Sequence, residues 1–175
     1  ASVQLRNSDA VYAMAEYEPG DGLDLDYLNA TNISFTVDSF FNRGSEIRVP
    51  LRQFAATERC GVSIEAQGLF AMDSTLMHAD GFVINTPHSA LTVDAEMGMG
   101  DLTTDEHLPL KLLVDGKVGI DDLALAYPVM KPAKRRARND SRIDVDVDIA
   151  GTMARLDVKT LSVDMARQLS LNVNG

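Results

Sequence analysis

Three aspartates alternate with valine in Asp144-Val145-Asp146-Val147-Asp148, the opening of an oxygen-ligand loop for calcium. Such a loop also needs a turn-forming Gly at its sixth position and a bidentate Glu at its twelfth, and those positions hold Ile149 and Arg155. His78, His88 and His107 stand at no spacing that lets two imidazoles share a metal. Gly98-Met99-Gly100 starts like a dinucleotide fingerprint, but Thr103 occupies the place of the third Gly. Cys60 is the single cysteine, so it forms no intrachain disulfide, and it reads as a small turn or buried thiol rather than a nucleophile. Asn29, Asn32 and Asn139 each head an N-x-S/T sequon, which matters only in a eukaryotic secretory setting. A nucleophile elbow, a phosphate-binding loop and an S-x-x-K motif do not occur in the sequence. Accordingly no catalytic residue, metal site or cofactor is expected.

A period of two explains the aspartates better. On a strand, Asp144, Asp146 and Asp148 form a wet face, and Ile143, Val145, Val147 and Ile149 form a dry one. The same beat runs through Leu91, Val93, Ala95 and Met97 against Thr92, Asp94 and Glu96, through Ile33, Phe35 and Val37, and through Ile47, Val49 and Leu51. It continues in Val62, Ile64 and Ala66, in Leu108, Leu110, Leu112 and Val114, and from Leu156 to Val173. Burying each such side chain is worth roughly 1.5–3 kcal/mol, so the nature of whatever covers the dry face is the functional question. Strands recurring about every 10 to 14 residues predict an all-β antiparallel meander.

Turn chemistry separates these runs. Pro19-Gly20-Asp21-Gly22 closes weak strand candidates at Val3–Leu5 and Val11–Tyr17, and Asn42-Arg43-Gly44 suits a hairpin. Leu23 to Tyr27 alternates as a further strand candidate, and Pro50 belongs at an edge or bulge because it lacks an N–H. Asp121-Asp122 before an apolar run and Pro128 after it predict one short helix near 121–127.

The 175 residues suffice for one substantial domain. A net charge of −10 argues against general nucleic-acid binding and against lying flat on anionic lipid. Contact with lipid tails stays open. The one basic cluster, Lys131 to Arg138 (KPAKRRAR), reads as an exposed loop over 131–140. Its sharper reading is a contact for anionic headgroups or an acidic neighbour. The chain opens ASVQLRNSDA and ends LSLNVNG, and it reads as a single segment, 1–175, of a larger repeat-built sheet domain.

The succession from Leu23 onward resembles TamB-like and AsmA-like proteins of Bacteroidetes. Glu58-Arg59-Cys60-Gly61-Val62 matches the E-R-S-G-L turn of that family, with Cys60 for Ser and Val62 for Leu. Asp73-Ser74-Thr75 and Thr86-Pro87-His88-Ser89-Ala90-Leu91 match its D-S-T and T-P-x-S-x-L elements. The ending, in which Gly151 precedes two short alternating strands, is similar to the family repeat. The resemblance covers roughly Leu23 to Gly175.

The resemblance implies a periplasmic protein attached to the inner membrane through a segment outside this sequence. Its sheet would be curled into an open, taco-like groove. The expected role is phospholipid transport to the outer membrane and outer-membrane protein assembly. Partners would be phospholipid acyl chains in the groove and an outer-membrane assembly protein through the full-length chain. The groove candidates are Ile33, Phe35, Val37, Ile47, Val49, Leu51, Val62, Ile64, Leu91, Val93, Ala95, Met97, Leu108, Leu110, Leu112, Ile143, Val145, Val147 and Ile149. Alternation alone equally allows these residues to form a closed core between two sheets. The alternative function is therefore a β-sandwich binding or adhesion module acting through its loops.

Overall fold

A computed structural model describes residues 2–14, 20–24, 26–100, 107–136, 141–152, 154–165 and 169–173. The alternating runs become strands β1 (Val3–Ala13), β2 (Tyr27–Val37), β3 (Phe41–Arg43), β4 (Glu46–Glu58) and β5 (Ser63–Met72). After them come β6 (Leu76–Asn85), β7 (Ala90–Gly98), β8 (Pro109–Gly119), β9 (Arg142–Thr152), β10 (Arg155–Met165) and β11 (Leu169–Val173). Between β8 and β9 lie helix α1 (Ile120–Ala126), a 3-10 turn (Pro128–Met130) and helix α2 (Lys131–Arg136). The strands form one sheet in the order β1-β2-β4-β5-β6-β7-β8-β9-β10-β11, with short β3 paired to β4. Every pairing is antiparallel. The result is an open, curled all-β meander, and among the described residues no second sheet lies over it.

Most predicted strands appear, and three segments differ from their sequence reading. Leu23, Asp24 and Asp26 are not strand, and Leu25 lies outside the described residues. The Asp24 carboxylate accepts the amides of Gly20 (3.1 Å) and Asp26 (3.1 Å), and this local turn wins over extended pairing. Lys131–Arg136 coils into α2, where the charge run suggested a loop. Pro50 sits inside β4, beyond the last residue of β2, with its carbonyl accepting the Asp38 amide (3.1 Å). Its missing N–H therefore falls where no ladder partner is required. Residues 15–19, at the end of the strand candidate Val11–Tyr17, lie outside the described residues, as do the polar loop 101–106 and the end of the basic segment, 137–140.

A line of irregularities crosses the sheet at mid-strand. The β1–β2 register slips between Leu5 and Ser8, β2–β4 between Thr31 and Ser34, and β4–β5 between Leu51 and Phe54. The β5–β6 and β6–β7 pairings slip at Gln67/Leu69 and Ala79/Phe82. A bulge bends its strand, so bulges aligned across neighbouring strands crease the sheet along a line across the strands. Three of the bulged residues have φ near +50°: Asn7 (49°), Asn32 (55°) and Gly81 (56°). Each donates its amide to a side chain on a neighbouring strand, namely Ser34 Oγ (3.2 Å), Asp9 Oδ1 (3.1 Å) and Asp94 Oδ1 (2.6 Å). The crease is thus fully hydrogen-bonded at these points rather than a defect.

The two best-buried apolar residues, Ile120 and Ala124, lie on α1 at one end of the strands. Ile120 is 1% exposed, and Val62, Ala124 and Ile143 are buried nearby along the same strand ends. At the opposite strand ends Val37, Ala71 and Leu108 are buried. The rest of the apolar face is only half-buried.

Candidate functional site: an uncovered apolar face

Registers decide which side chains share a face. Directly opposed residues point the same way, so each pairing extends a row across the sheet. Leu91 on β7 opposes Ile84 on β6 and Gly116 on β8, and Gly116 opposes Val145 on β9. Val93 joins Phe82, Val114, Val147 and Leu161. Ala95 joins Ala79, Leu112, Ile149 and Val158. Met97 joins Met77, Leu110, Gly151 and Leu156. Toward β1, Ile47 opposes Met72, Val49 opposes Phe70, Leu51 opposes Val37, and Phe54 opposes both Phe35 and Ala66. Ile64 lies two residues from Ala66 on that same face, opposite Ala56.

Of the nineteen groove candidates, most therefore fall on one continuous apolar surface running from β2 to β9. Four have particular positions. Ile33 stands at the β2 bulge opposite Ser8. Val62 and Leu108 lie just outside β5 and β8 and are buried at opposite ends of the strands. Ile143 is buried opposite Val118 near α1. Strict alternation missed Phe54, Met77 and Ala79, because at Leu51→Phe54 and Ala79→Phe82 the beat advances by three residues instead of two. The extra residue in each bulge restores the face. That slip in period was the signal available in the sequence.

The other face is acidic. Asp115 opposes Asp146, Asp94 opposes Leu113, and Glu96 opposes Lys111. Lys117 pairs with Asp144, and Arg52 with Asp38. These ion pairs are exposed, so each is worth about 0–1 kcal/mol and serves solubility more than stability. Two hollows open near β3. One of about 480 Å³ is lined by Arg43, Arg48, Asp73, Ser74, Thr75 and His78 among others. Another of about 630 Å³ is lined by Ser39, Phe41, Glu46, Arg48, Pro50 and Leu69.

Six inter-strand gaps at about 4.8 Å make the apolar face from β2 to β9 about 29 Å across the strands. Half of a bilayer's ~30 Å hydrocarbon core, about 15 Å, is the span of one acyl chain. The face is long enough for more than one. No family model, curated protein or solved structure matches this chain. Chemistry must therefore be argued from the surface itself: aliphatic and phenyl groups with no hydrogen-bonding demand, on a floor of paired backbone.

One end of this face is closed by α1. Leaving β8, the helix runs along the strand ends toward β4 and β2. The Asp122 carboxylate accepts the hydroxyls of Thr86 and Ser89 (2.5 Å for Ser89) and the amide of His88 (3.1 Å), which clasps α1 to the β6–β7 turn. The Ser89 hydroxyl oxygen accepts the Gly119 amide at the start of the helix (3.0 Å). Leu125 reaches the β4–β5 turn at Gly61. The Ala126 carbonyl accepts the Leu23 amide (2.7 Å). Gly22, at φ 91°, fits against that carbonyl so closely that a Cβ would lie 2.4 Å from it.

The β4–β5 turn carries the ERCGV motif. Glu58 is buried and accepts the amides of Asn29 (3.4 Å) and Cys60 (2.5 Å). Burial pushes its carboxyl up. Hydrogen bonds from Cys60, Asn29 and Arg59 outweigh this and hold it below the ordinary value of 4.5. The Cys60 thiol is pushed up by burial and by its Glu58 neighbour, which makes it a poor nucleophile. Arg59 donates to the carbonyls of Gly20 (2.7 Å) and Gly22 (3.3 Å) and lies over the Tyr27 ring. Its motif is structural: it ties the β1–β2 connection to the helix-capped end. In the DST motif, the Asp73 carboxylate accepts the amide and hydroxyl of Thr75 and the amide of Leu76, which keeps its pKa low. It closes the β5–β6 turn. Among the described residues no group of side chains could hold a metal ion, and no helix is long and apolar enough to cross a membrane.

Proposed function

We propose that this chain is a lipid-carrying segment of a periplasm-spanning, inner-membrane-anchored scaffold of TamB/AsmA type, with a role in moving phospholipid toward the outer membrane and in outer-membrane protein assembly. The observation that supports it is the continuous apolar face from β2 to β9, over which, among the described residues, no second layer of protein lies. A soluble domain would ordinarily bury such a face against a second sheet or helices. Acyl chains supply the same dry cover and ask for no polar partner. The family role rests on the ERCGV, DST and TPHSAL motifs, and the acyl-chain role on the surface.

The test is to purify the chain from Gram-negative bacteria, extract it with organic solvent and identify co-purified lipid by mass spectrometry. A photo-crosslinking residue at Val147 should capture phospholipid, and the same residue at Asp146, on the opposite face, should not. Equal labelling at both positions, or none at either, would sink the reading. The alternative, a binding module acting through loops, is favoured by one observation: Phe40 and Phe41 are exposed beside the 630 Å³ hollow at β3. A protein or glycan ligand whose binding is lost on Phe41→Ala, in a chain that carries no lipid, would favour that alternative.

A further inference from the structure

The segment after α1 does not follow the face rules of the sheet. Tyr127-Pro128-Val129-Met130-Lys131-Pro132-Ala133-Lys134-Arg135-Arg136 contains four basic residues and no acidic one, in a chain of net charge −10. Leu125, Tyr127 and Val129 are 41%, 52% and 83% exposed. Lys131 and Arg135 on α2 are exposed as well. Apolar side chains standing in water directly before a basic helix are the pattern of a segment that lies in a membrane interface, apolar groups among acyl chains and cations among headgroups. Its base is fixed: Asp122 clasps α1 to the sheet, and the Tyr127 and Met130 amides close the turn onto Leu123 (2.7 Å) and Tyr127 (2.8 Å) carbonyls. The knob is therefore presented rather than trailing.

We infer that Leu125–Arg136 docks this molecule onto a phospholipid surface bearing anionic headgroups. The charge argument is local. Screening limits each charge to about 8–10 Å, and the Asp122 carboxylate is turned into the β6–β7 turn, where Thr86, His88 and Ser89 donate to it. An acidic protein would satisfy the cations and leave Val129 and Tyr127 without cover, whereas a bilayer satisfies both. This docking does not depend on the acyl-chain reading of the sheet. It would set the capped end of that face beside a bilayer.

Sedimentation with phosphatidylcholine vesicles and with mixed phosphatidylcholine/phosphatidylglycerol vesicles tests the inference. The chain should bind the anionic vesicles and release them as salt is raised. Each basic residue near such a surface contributes about fivefold to the partition, so Lys131→Gln/Arg135→Gln should bind about 25-fold more weakly. Tyr127→Ser/Val129→Asp should lose binding, and Leu171→Asp, an exposed position of the apolar face, should retain it. Because the chain has no tryptophan, Val129→Trp supplies a sole fluorophore whose emission should shift to the blue on anionic vesicles. Equal binding to both vesicle types overturns the inference. So does loss of binding in Leu171→Asp rather than in Tyr127→Ser/Val129→Asp. Full binding by Tyr127→Ser/Val129→Asp with loss in the Gln double variant also overturns it, since that pattern belongs to an acidic protein partner.

Discussion

Two residues carry more of the architecture than their size suggests. Glu58 is a buried carboxylate that organises the β4–β5 turn through amides. With its folded pKa below 4.5, its contribution is fully present above the unfolded value. It is lost as pH falls through the folded one, because the unfolded chain takes up the proton first. Glu58→Gln should therefore lower the melting temperature at neutral pH, by roughly 1–3 kcal/mol of stability. Its stability should also decline less steeply than wild type as pH drops below about 4.5, which a melting series against pH reads directly. Gly81 is the second. At φ 56°, with open space around a would-be Cβ, only conformation is at stake. Gly81→Val should cost about 1–2 kcal/mol, and Gly81→Asn, which tolerates this region, clearly less. Equal costs in urea denaturation would mean that the crease does not require a left-handed residue there.

Among the elements, α1 is the piece that a pure meander would not have. Seven residues make a helix too short to be stable alone, so tertiary contacts must hold it. The Asp122 clasp to Thr86, His88 and Ser89 is the main one. Asp122→Ala removes the acceptor for three donors at once, two of them hydroxyls drawn into a buried corner. The expected loss is about 3 kcal/mol, with amide exchange rising first in residues 120–126 and 86–89. If exchange rises evenly over the sheet instead, α1 and the strands melt as one unit and the clasp has no local role. The edge strands are the other exposed element. On β1, Val3 and Tyr12 are half exposed, and on β11 so is Leu171. β1 is blunted by Arg6, Asp9 and its register slips, whereas β11 carries no charged residue, which leaves it the more open to further strand pairing.

At the scale of the whole molecule, the balance between two faces governs behaviour. The acidic face and net charge of −10 keep copies apart in water, and the apolar face draws them together. A lipid that covers the face should stabilise the fold by mass action, about 2.7 kcal/mol at a hundred times its dissociation constant. Adding a short-chain phospholipid should therefore raise the melting temperature in a concentration-dependent way. Val147→Asp, in the middle of the face between Val114 and Leu161, should abolish that rise. A rise of the same size in the variant would mean that the lipid acts elsewhere.

The antiparallel meander, the apolar rows and the helix after Asp121-Asp122 were legible because each is written in local order. Period two gives a strand its faces, and carboxylates before an apolar run start a helix, whatever lies far away in the chain. The slip of the beat at Leu51→Phe54 and Ala79→Phe82 was also written there. Without the registers, however, an extra residue cannot be told from the end of a strand. The strand expected at Leu23 to Tyr27 begins only at Tyr27 because a side chain, Asp24, captures the amides of Gly20 and Asp26. Whether the dry rows would face a second sheet or remain open was not a local property. It depends on where every strand stops in the order β1-β2-β4 to β11, and on a helix too small to cover more than one end. Sequence determined that this protein has a dry face. Only the tertiary arrangement, one sheet over which no described residue folds as a second layer, left that face uncovered.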